Sequence, residues 1–455
     1  GTVPLKRGNI RVYSDSQSDY ITLSASLQLD EKAKVKTKGK FNNNGGDLSI
    51  ECSSVHCAAI TKLLPTINMA AGGRIDLDGT IQWERGKKDA QFVLTVPQKA
   101  FLTVPRSYFD KDESGSFRLN LGKSKGAGKL SWRENQFSLS AKDVTATFRQ
   151  GGRLSLSADY ENKGNCKKAE LDFKLANISL MSLLDFVEVD KVEAKGKGSV
   201  LGSLKLDGGV TKLHCRVNFP GARLYSFPFS KFAAEFIYTE KGKSQRLHLK
   251  KLKALTHNDG KIAASGVNVL SPTIKHDIRF LLENIDAKRL CQLIGADDFS
   301  GRGRLRVEGL LEGTFWRPRV KMLVKCPKLN TYFKASGKGY QQAFDSLSLS
   351  ASLSRHKGGW RMEVTKAKAG AFGGELSARG PIQLSPQTSL GLKISLRKAK
   401  AKKLATYLAI PSFSLAGGLE ADGSLVGAPP NIVLNSRVVI RNARIYYKLS
   451  GFNIL

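Results

Sequence analysis

Side-chain polarity in this chain alternates with a period of two over most of its length, and that regularity excludes most folds. In KAELDFKL (168–175), Ala169, Leu171, Phe173 and Leu175 oppose Lys168, Glu170, Asp172 and Lys174. In SLSLSASL (346–353), Leu347, Leu349, Ala351 and Leu353 oppose serines. Leu390, Leu392, Ile394 and Leu396 repeat the pattern, as do Phe232, Ala234, Phe236 and Tyr238, and Val320, Met322, Val324 and Cys326. Successive side chains of a strand point to opposite faces, so this pattern predicts half-buried antiparallel strands with one wet face. Turn signals fall between the segments: Gly151-Gly152, Asn258-Asp259-Gly260, Lys357-Gly358-Gly359 and Gly373-Gly374. Neighbours in sequence are therefore expected to pair as a long meander, with roughly a dozen residues to each strand and its turn.

A second regularity lies on top of the first. The motif Gly-x-apolar-x-apolar-acid-Gly reads GRIDLDG (73–79), GSLKLDG (202–208), GRLRVEG (303–309) and, in looser form, Gly417 to Gly423. Its acids are Asp78, Asp207, Glu308 and Asp422. Each copy follows apolar residues at i, i+3, i+4: Ile60, Leu63, Leu64; Leu180, Leu183, Leu184; Leu290, Leu293, Ile294; Leu404, Tyr407, Leu408. That spacing is the stripe of a short amphipathic helix. A unit returning about every 100–130 residues is too long for a propeller blade or a solenoid coil. It predicts one small helix plus a run of strands per repeat: 57–178, 179–284, 285–398 and an incomplete 399–455, with 1–56 continuing a preceding repeat. No Pro/Ser/Gly linker separates them, so one continuous elongated domain is expected rather than separate globules. The acid-Gly pair is expected at a hairpin corner, with glycine relieving strain and the acid outward.

Charge restricts the partners. Lysine and arginine outnumber acids by 34 in 455 residues, which suits an anionic partner or simply a well-solvated basic surface. Nucleic acid is disfavoured, because the aromatics lie mainly on apolar parities rather than interleaved with basic residues. The six cysteines, at 52, 57, 166, 215, 291 and 326, are irregular and too sparse for a disulfide scaffold. Cys291 and Cys326 read as buried thiols, and Cys52 and Cys57 have poor zinc spacing. No apolar run of transmembrane length occurs, and GTVPLKRGNI has no signal-peptide core. The end, YYKLSGFNIL, stops in strand-like sequence, so the chain is expected to be a segment of a longer protein.

Catalytic signals are poor. GKSKG (122–126) imitates a nucleophile elbow but has basic neighbours and no following helix. As a P-loop it has Phe117 where glycine is needed. GKGSVLG (196–202) misses the dinucleotide fingerprint by one residue, and the six histidines are scattered. The expectation is no enzyme, no cofactor, no metal and no catalytic residue.

A meander with one apolar face must cover that face or fill it. Either the curled walls pack together as an ordinary core, or the sheet forms an elongated open groove, taco-like, lined by Leu, Val, Ala and Gly. The expected fold is thus mostly β: a long antiparallel meander curled into such a groove, with about four short amphipathic helices.

The segments SLAGGLEADGSLVGAPPNIVLNSRVVIRNARI (414–445), FSGRGRLRVEGLLEGTFWRPRVKMLVK (299–325), AKAGAFGGELSARGPIQL (367–384) and, more faintly, HNDGKIAASG (257–266) resemble the AsmA-like superfamily of Gram-negative bacteria, its TamB-like members in particular. The resemblance covers about 285–445 and is diffuse before that. It implies a bridge-like lipid transfer protein of the periplasm, anchored in the inner membrane by a part outside this segment. Such a protein is a passive conduit for phospholipids between inner and outer membranes. A scaffold for outer-membrane β-barrel assembly, with a β-barrel partner, is the alternative, and a nucleic-acid or anionic-glycan binder is the third.

On that reading, Leu171, Phe173, Leu204, Leu206, Phe232, Phe236, Leu305, Val307, Leu347, Leu349, Leu392 and Ile394 would line the groove. Lys250, Lys251, Lys253, Lys398, Lys400, Lys402 and Lys403 would contact headgroup phosphates from the rim. The same lysines also read as solvated strand and helix faces.

Overall fold

The computed structural model describes residues 6–14, 19–56, 70–84, 86–97, 100–105, 116–133, 136–148, 151–163, 166–181, 183, 193–224, 227–289, 300–314, 316–335, 338–356, 359–384, 389–407, 413–428 and 431–447. The alternating segments are strands, and the chain is nearly all β in long antiparallel meanders. Two compact units divide within the strand Phe227–Lys241: residues 1–228 with 235–243, and 229–234 with 244–455.

In the first unit the strands Arg7–Ser14, Ile21–Gln28, Lys34–Phe41, Gly45–His56, Arg74–Glu84, Lys87–Val96 and Ser116–Arg133 pair in that order. The order continues through Gln136–Phe148, Arg153–Lys163, Cys166–Ser179, Ala194–Asp207 and Val210–Phe219. In the second unit it runs through Ser244–Thr256, Lys261–Ser271, Lys275–Asp286, Arg304–Thr314, Arg317–Ala335 and Lys338–His356. Gly359–Ala371, Gly374–Gln383, Ser389–Lys400, Phe413–Ala428 and Asn431–Tyr447 complete it. The turns fall where glycine pairs occur: Gly151 and Gly152 at φ 88 and 108°, and Gly373 at φ 78°, take conformations closed to most L-residues. Several strands are longer than a dozen residues allow; Arg317–Ala335 and Lys338–His356 have 19 each.

The repeat is present, but its anatomy differs from the sequence expectation. Four strands carry a β-bulge near their ends, at Ser54, Asn177, Asn284 and Lys398, with φ of 56, 56, 57 and 55°. In each case the strand ends two residues later, at His56, Ser179, Asp286 and Lys400. Nineteen residues beyond each bulge stands a glycine, Gly73, Gly196, Gly303 or Gly417, and six beyond that another, Gly79, Gly202, Gly309 or Gly423. The second copy is therefore GKGSVLG (196–202), not GSLKLDG (202–208), and the copies become more evenly spaced. Three of the four acid-Gly pairs, at Asp78, Glu308 and Asp422, lie inside strands rather than at hairpin corners. Only Asp207-Gly208 turns a corner, with Gly208 and Gly209 at φ 56 and 78°. All four acids do face solvent.

The bulge gives a physical reason for the repeat. An extra residue bends the strand, raises its twist and frees a carbonyl from the ladder. In the first copy Arg74 Nη1 donates to the Ser54 carbonyl at 2.6 Å while the same guanidinium grips Asp30 at 3.0 and 3.2 Å. In the third, Arg304 Nη1 donates to the Asn284 carbonyl at 3.3 Å. The arginine after the first glycine of the motif thus occupies a backbone acceptor that the bulge exposes.

Of the four expected helices, the one at Ala401–Tyr407 is described over seven residues. Helical turns begin at Leu180 and at Ala287, and Leu183 is helical. Ile60, Leu63, Leu64, Leu184, Leu290, Leu293, Ile294 and Leu408 lie outside the described residues.

Full burial concentrates where strands give way to these helical turns. One cluster joins Ala287, Leu305, Val307, Val324, Cys326 and Leu329. Another joins Leu396, Ala399, Ala401 and Leu419, with Leu404 of the helix and Phe372 packed on it, and Phe372 meets Tyr407 edge-on at 5.3 Å.

Candidate apolar binding face

Register converts the period-two pattern into continuous rows. In the second unit Ala254, Ile262, Leu282, Val307, Val324, Leu349, Ala367, Ala378, Ile394 and Gly423 are successive cross-strand partners, one per strand. At ~4.8 Å per strand such a row spans roughly 40 Å. In the first unit Ile50, Gly79, Phe92, Gly128, Ala141, Ala158, Leu171, Leu204 and Leu213 form another. No charged residue interrupts either row.

Large residues on this face lie over glycine. A Cβ at Gly128 would meet the ring of Phe92, one at Gly202 the ring of Phe173, and one at Gly309 the ring of Phe280. Phe173 and Phe280 each stand four residues before a bulge and are paired with the second glycine of their repeat; Ile50 and Ile394 hold the corresponding places opposite Gly79 and Gly423. The glycine lets the ring lie down on the sheet, which smooths the apolar surface and gives the mid-strand glycine a role in those two copies.

The expected lining residues divide by burial. Leu171, Phe173, Leu204, Leu206, Leu347, Leu349, Leu392 and Ile394 are half-buried and share the apolar parity. Leu171 and Leu204 are direct partners, as are Phe173 and Gly202. Leu305 and Val307 are instead 7% and 3% exposed, inside the buried cluster at the third bulge. Phe232 and Phe236 are half-buried on a strand with little burial alternation after Lys231, so their face is not distinguished by exposure. Lys250, Lys251 and Lys253 are exposed on Ser244–Thr256, whose register slips by one residue between Leu249 and Leu252. Lys398 is the fourth bulge residue, and Lys400, Lys402 and Lys403 are exposed beside it at the helix. The seven lysines thus form two separate groups. The bulges and the Phe-over-Gly pairs escaped the sequence reading; the bulge residues share no letter, and the one signal in the sequence is the six-residue spacing of the glycines.

The thiols belong to the same apolar side. Burial pushes Cys215 up to about 11 and also raises Cys326; at Cys52 burial acts first and the nearby Asp78 and Glu51 add to it. All three stay protonated and pack as small apolar groups. Cys57 and Cys291, and the Cys166 side chain, lie outside the described residues. No group of three metal-ligating side chains occurs among the described residues, and no helix there is long and apolar enough to cross a membrane.

The opposite face is charged and is hollowed in places. A hollow of about 960 Å³ in the first unit lies over the polar row Ser24, Lys38, Ser49, Thr80, Gln91, Lys129 and Ser140. Arg397 grips Asp422 with both oxygens, at 2.7 and 2.8 Å, which holds the carboxyl below its ordinary range.

Fold and site together define an antiparallel meander with one charged face and one apolar face that is buried at the clusters and half withdrawn from water elsewhere. Compared with known proteins, the chain matches no protein-family model and no curated protein sequence.

Proposed function

We propose that the half-buried apolar face is a track for acyl chains and that the chain is a stretch of a bridge-like phospholipid conduit. The observation that carries this reading is the first-unit row through Phe92, Leu171 and Leu204: uninterrupted by charge, yet with those side chains only half-buried. Apolar burial is worth about 25 cal/mol per Å², so a face of this extent favours a permanent apolar occupant. A lipid tail passing from bilayer to track exchanges one apolar surrounding for another, so its net affinity is small. That suits passive movement between inner and outer membranes by a periplasmic protein anchored in the inner membrane outside this segment. Headgroups would remain in water at the margins of the track. Neither a catalytic residue nor a cofactor is needed.

Photocrosslinking tests the reading. A photoreactive amino acid at Leu171 or Leu392 should capture phospholipid in cells, and one at Asp172 or Lys393, on the charged parity, should not. Equal capture on both parities, or none at Leu171 and Leu392, would refute it. A second reading, a scaffold for β-barrel assembly, draws support from the strand Asn431–Tyr447. There Val433, Leu434, Val438 and Val439 are all exposed, apolar side chains that a partner could cover.

A further inference from the structure

The charged face of the second unit carries a basic hollow of about 610 Å³. Its floor is the strand Lys261–Ser271, where Ala263 and Ser265 are small. On one side stand Lys250, Lys251 and Lys253. On the other stands Arg279, the cross-strand partner of Ser265. Short side chains between a line of lysines and the long Arg279 make a trough. The bulge between Leu249 and Leu252 adds to it, because the extra residue puts two lysines where a regular strand would present one.

Acids do not neutralise this trough. Glu308, the only acid lining it, accepts from Arg306 Nε at 2.8 Å, and Glu283 accepts from the same guanidinium at 2.9 Å. Arg306 is thereby balanced within the sheet. Lys250, Lys251, Lys253 and Arg279 form no ion pair with the described acids. Cations gathered around one hollow repel each other, and an anion of more than one charge relieves that repulsion best. Phosphoryl oxygens also suit a mixed arginine and lysine lining: the guanidinium can engage two oxygens, and each ammonium acts as a point charge.

We propose that this trough is a binding site for a multiply charged phosphoryl group, carried on a lipid headgroup or free in solution. It lies on the parity opposite the acyl track, so occupancy of one does not depend on the other.

The test uses the whole chain. Calorimetry with pyrophosphate at physiological salt should show saturable binding, or vesicles of phosphatidylcholine containing about a tenth phosphatidic acid should bind and be displaced by pyrophosphate. Pyrophosphate binding that the vesicles do not compete for assigns the site to a free anion, and vesicle binding that pyrophosphate displaces assigns it to a headgroup. Either result supports the site only if Lys251→Glu with Arg279→Glu weakens binding about tenfold or more. Lys393→Glu, an exposed lysine on another strand, should leave it unchanged. All three residues are exposed, so the variants should keep the wild-type unfolding midpoint and lipid content. Absence of saturable binding to both probes, or an equal loss with Lys393→Glu, would overturn the proposal.

Discussion

Leu392, Ile394 and Leu396 follow one another on the same face of the same strand, yet they meet different fates. The first two are half-buried; Leu396 is 7% exposed, and Ala399, just past the bulge, is 1% exposed. The helix Ala401–Tyr407 explains the difference. It packs Leu404 onto Leu396, Ala399 and Leu419, and closes that end of the apolar face. Away from the helix the same parity has the same kind of residue and less cover. Apolar composition alone therefore does not make a core: the chain supplies cover at its bulges and withholds it between them.

The largest expected effect separates those two regions directly. Leu419→Ala, under the helix, should lower stability by about 2–5 kcal/mol, because a buried leucine leaves a cavity behind. Leu392→Ala, on the open row, should lower it by about 1 kcal/mol, since part of the side chain is already in water. Denaturant unfolding of the lipid-free chain would compare them, and equal losses would erase the distinction between covered and open rows.

Gly309→Val comes next. Its Cβ would collide with the Phe280 ring, and overpacking of this kind should take about 1–3 kcal/mol. Gly309→Val with Phe280→Ala should recover part of that loss. A double variant as weak as the sum of the two singles would show that the ring does not depend on the glycine.

The bulge residues sharpen the comparison from its other side. Asn284 sits at φ 57°, which asparagine tolerates and a β-branched residue does not. Asn284→Val should lower stability by about 1–2 kcal/mol, whereas Asn284→Gly should change it little. If both variants behave alike, the left-handed backbone at the bulge is not what ends the strand.

The smallest effect is a pH dependence at the first bulge. Arg74, hydrogen-bonded to Asp30, holds that carboxyl well below the ordinary range, and the backbone N–H groups of Ala33 and Lys32 add to the shift. A carboxyl depressed in the folded state contributes stability above its unfolded pKa and loses it as pH falls through the folded one. Stability should thus decline below about pH 4. Asp30→Asn should flatten that part of the profile. An unchanged profile would mean that the Arg74 contact does not act through the charge of Asp30.

The meander was legible because a strand's periodicity is written residue by residue: KAELDFKL and SLSLSASL state both their conformation and their faces. Partner rows then follow from turn positions. The repeat was legible only in part. GSLKLDG shares letters with the motif, but Gly208 begins a hairpin, while GKGSVLG, with leucine in place of the acid, supplies the glycine that receives Phe173. Geometry repeats here more faithfully than sequence, since a left-handed bulge accepts serine, asparagine or lysine. The lining residues were legible as a parity but not as a degree of cover: nothing in LRVEG says that Leu305 and Val307 would lie in a closed cluster and Leu392 on an open stretch. Cover depends on which distant segment folds over a face, and alternation within a strand has no knowledge of that.

The most direct test of the open row is native mass spectrometry of the purified chain, followed by organic extraction and lipid identification in low and high salt. The account predicts several phospholipids per chain, retained in high salt because the contact is apolar. A chain free of lipid, or lipid that leaves with rising salt, would contradict it.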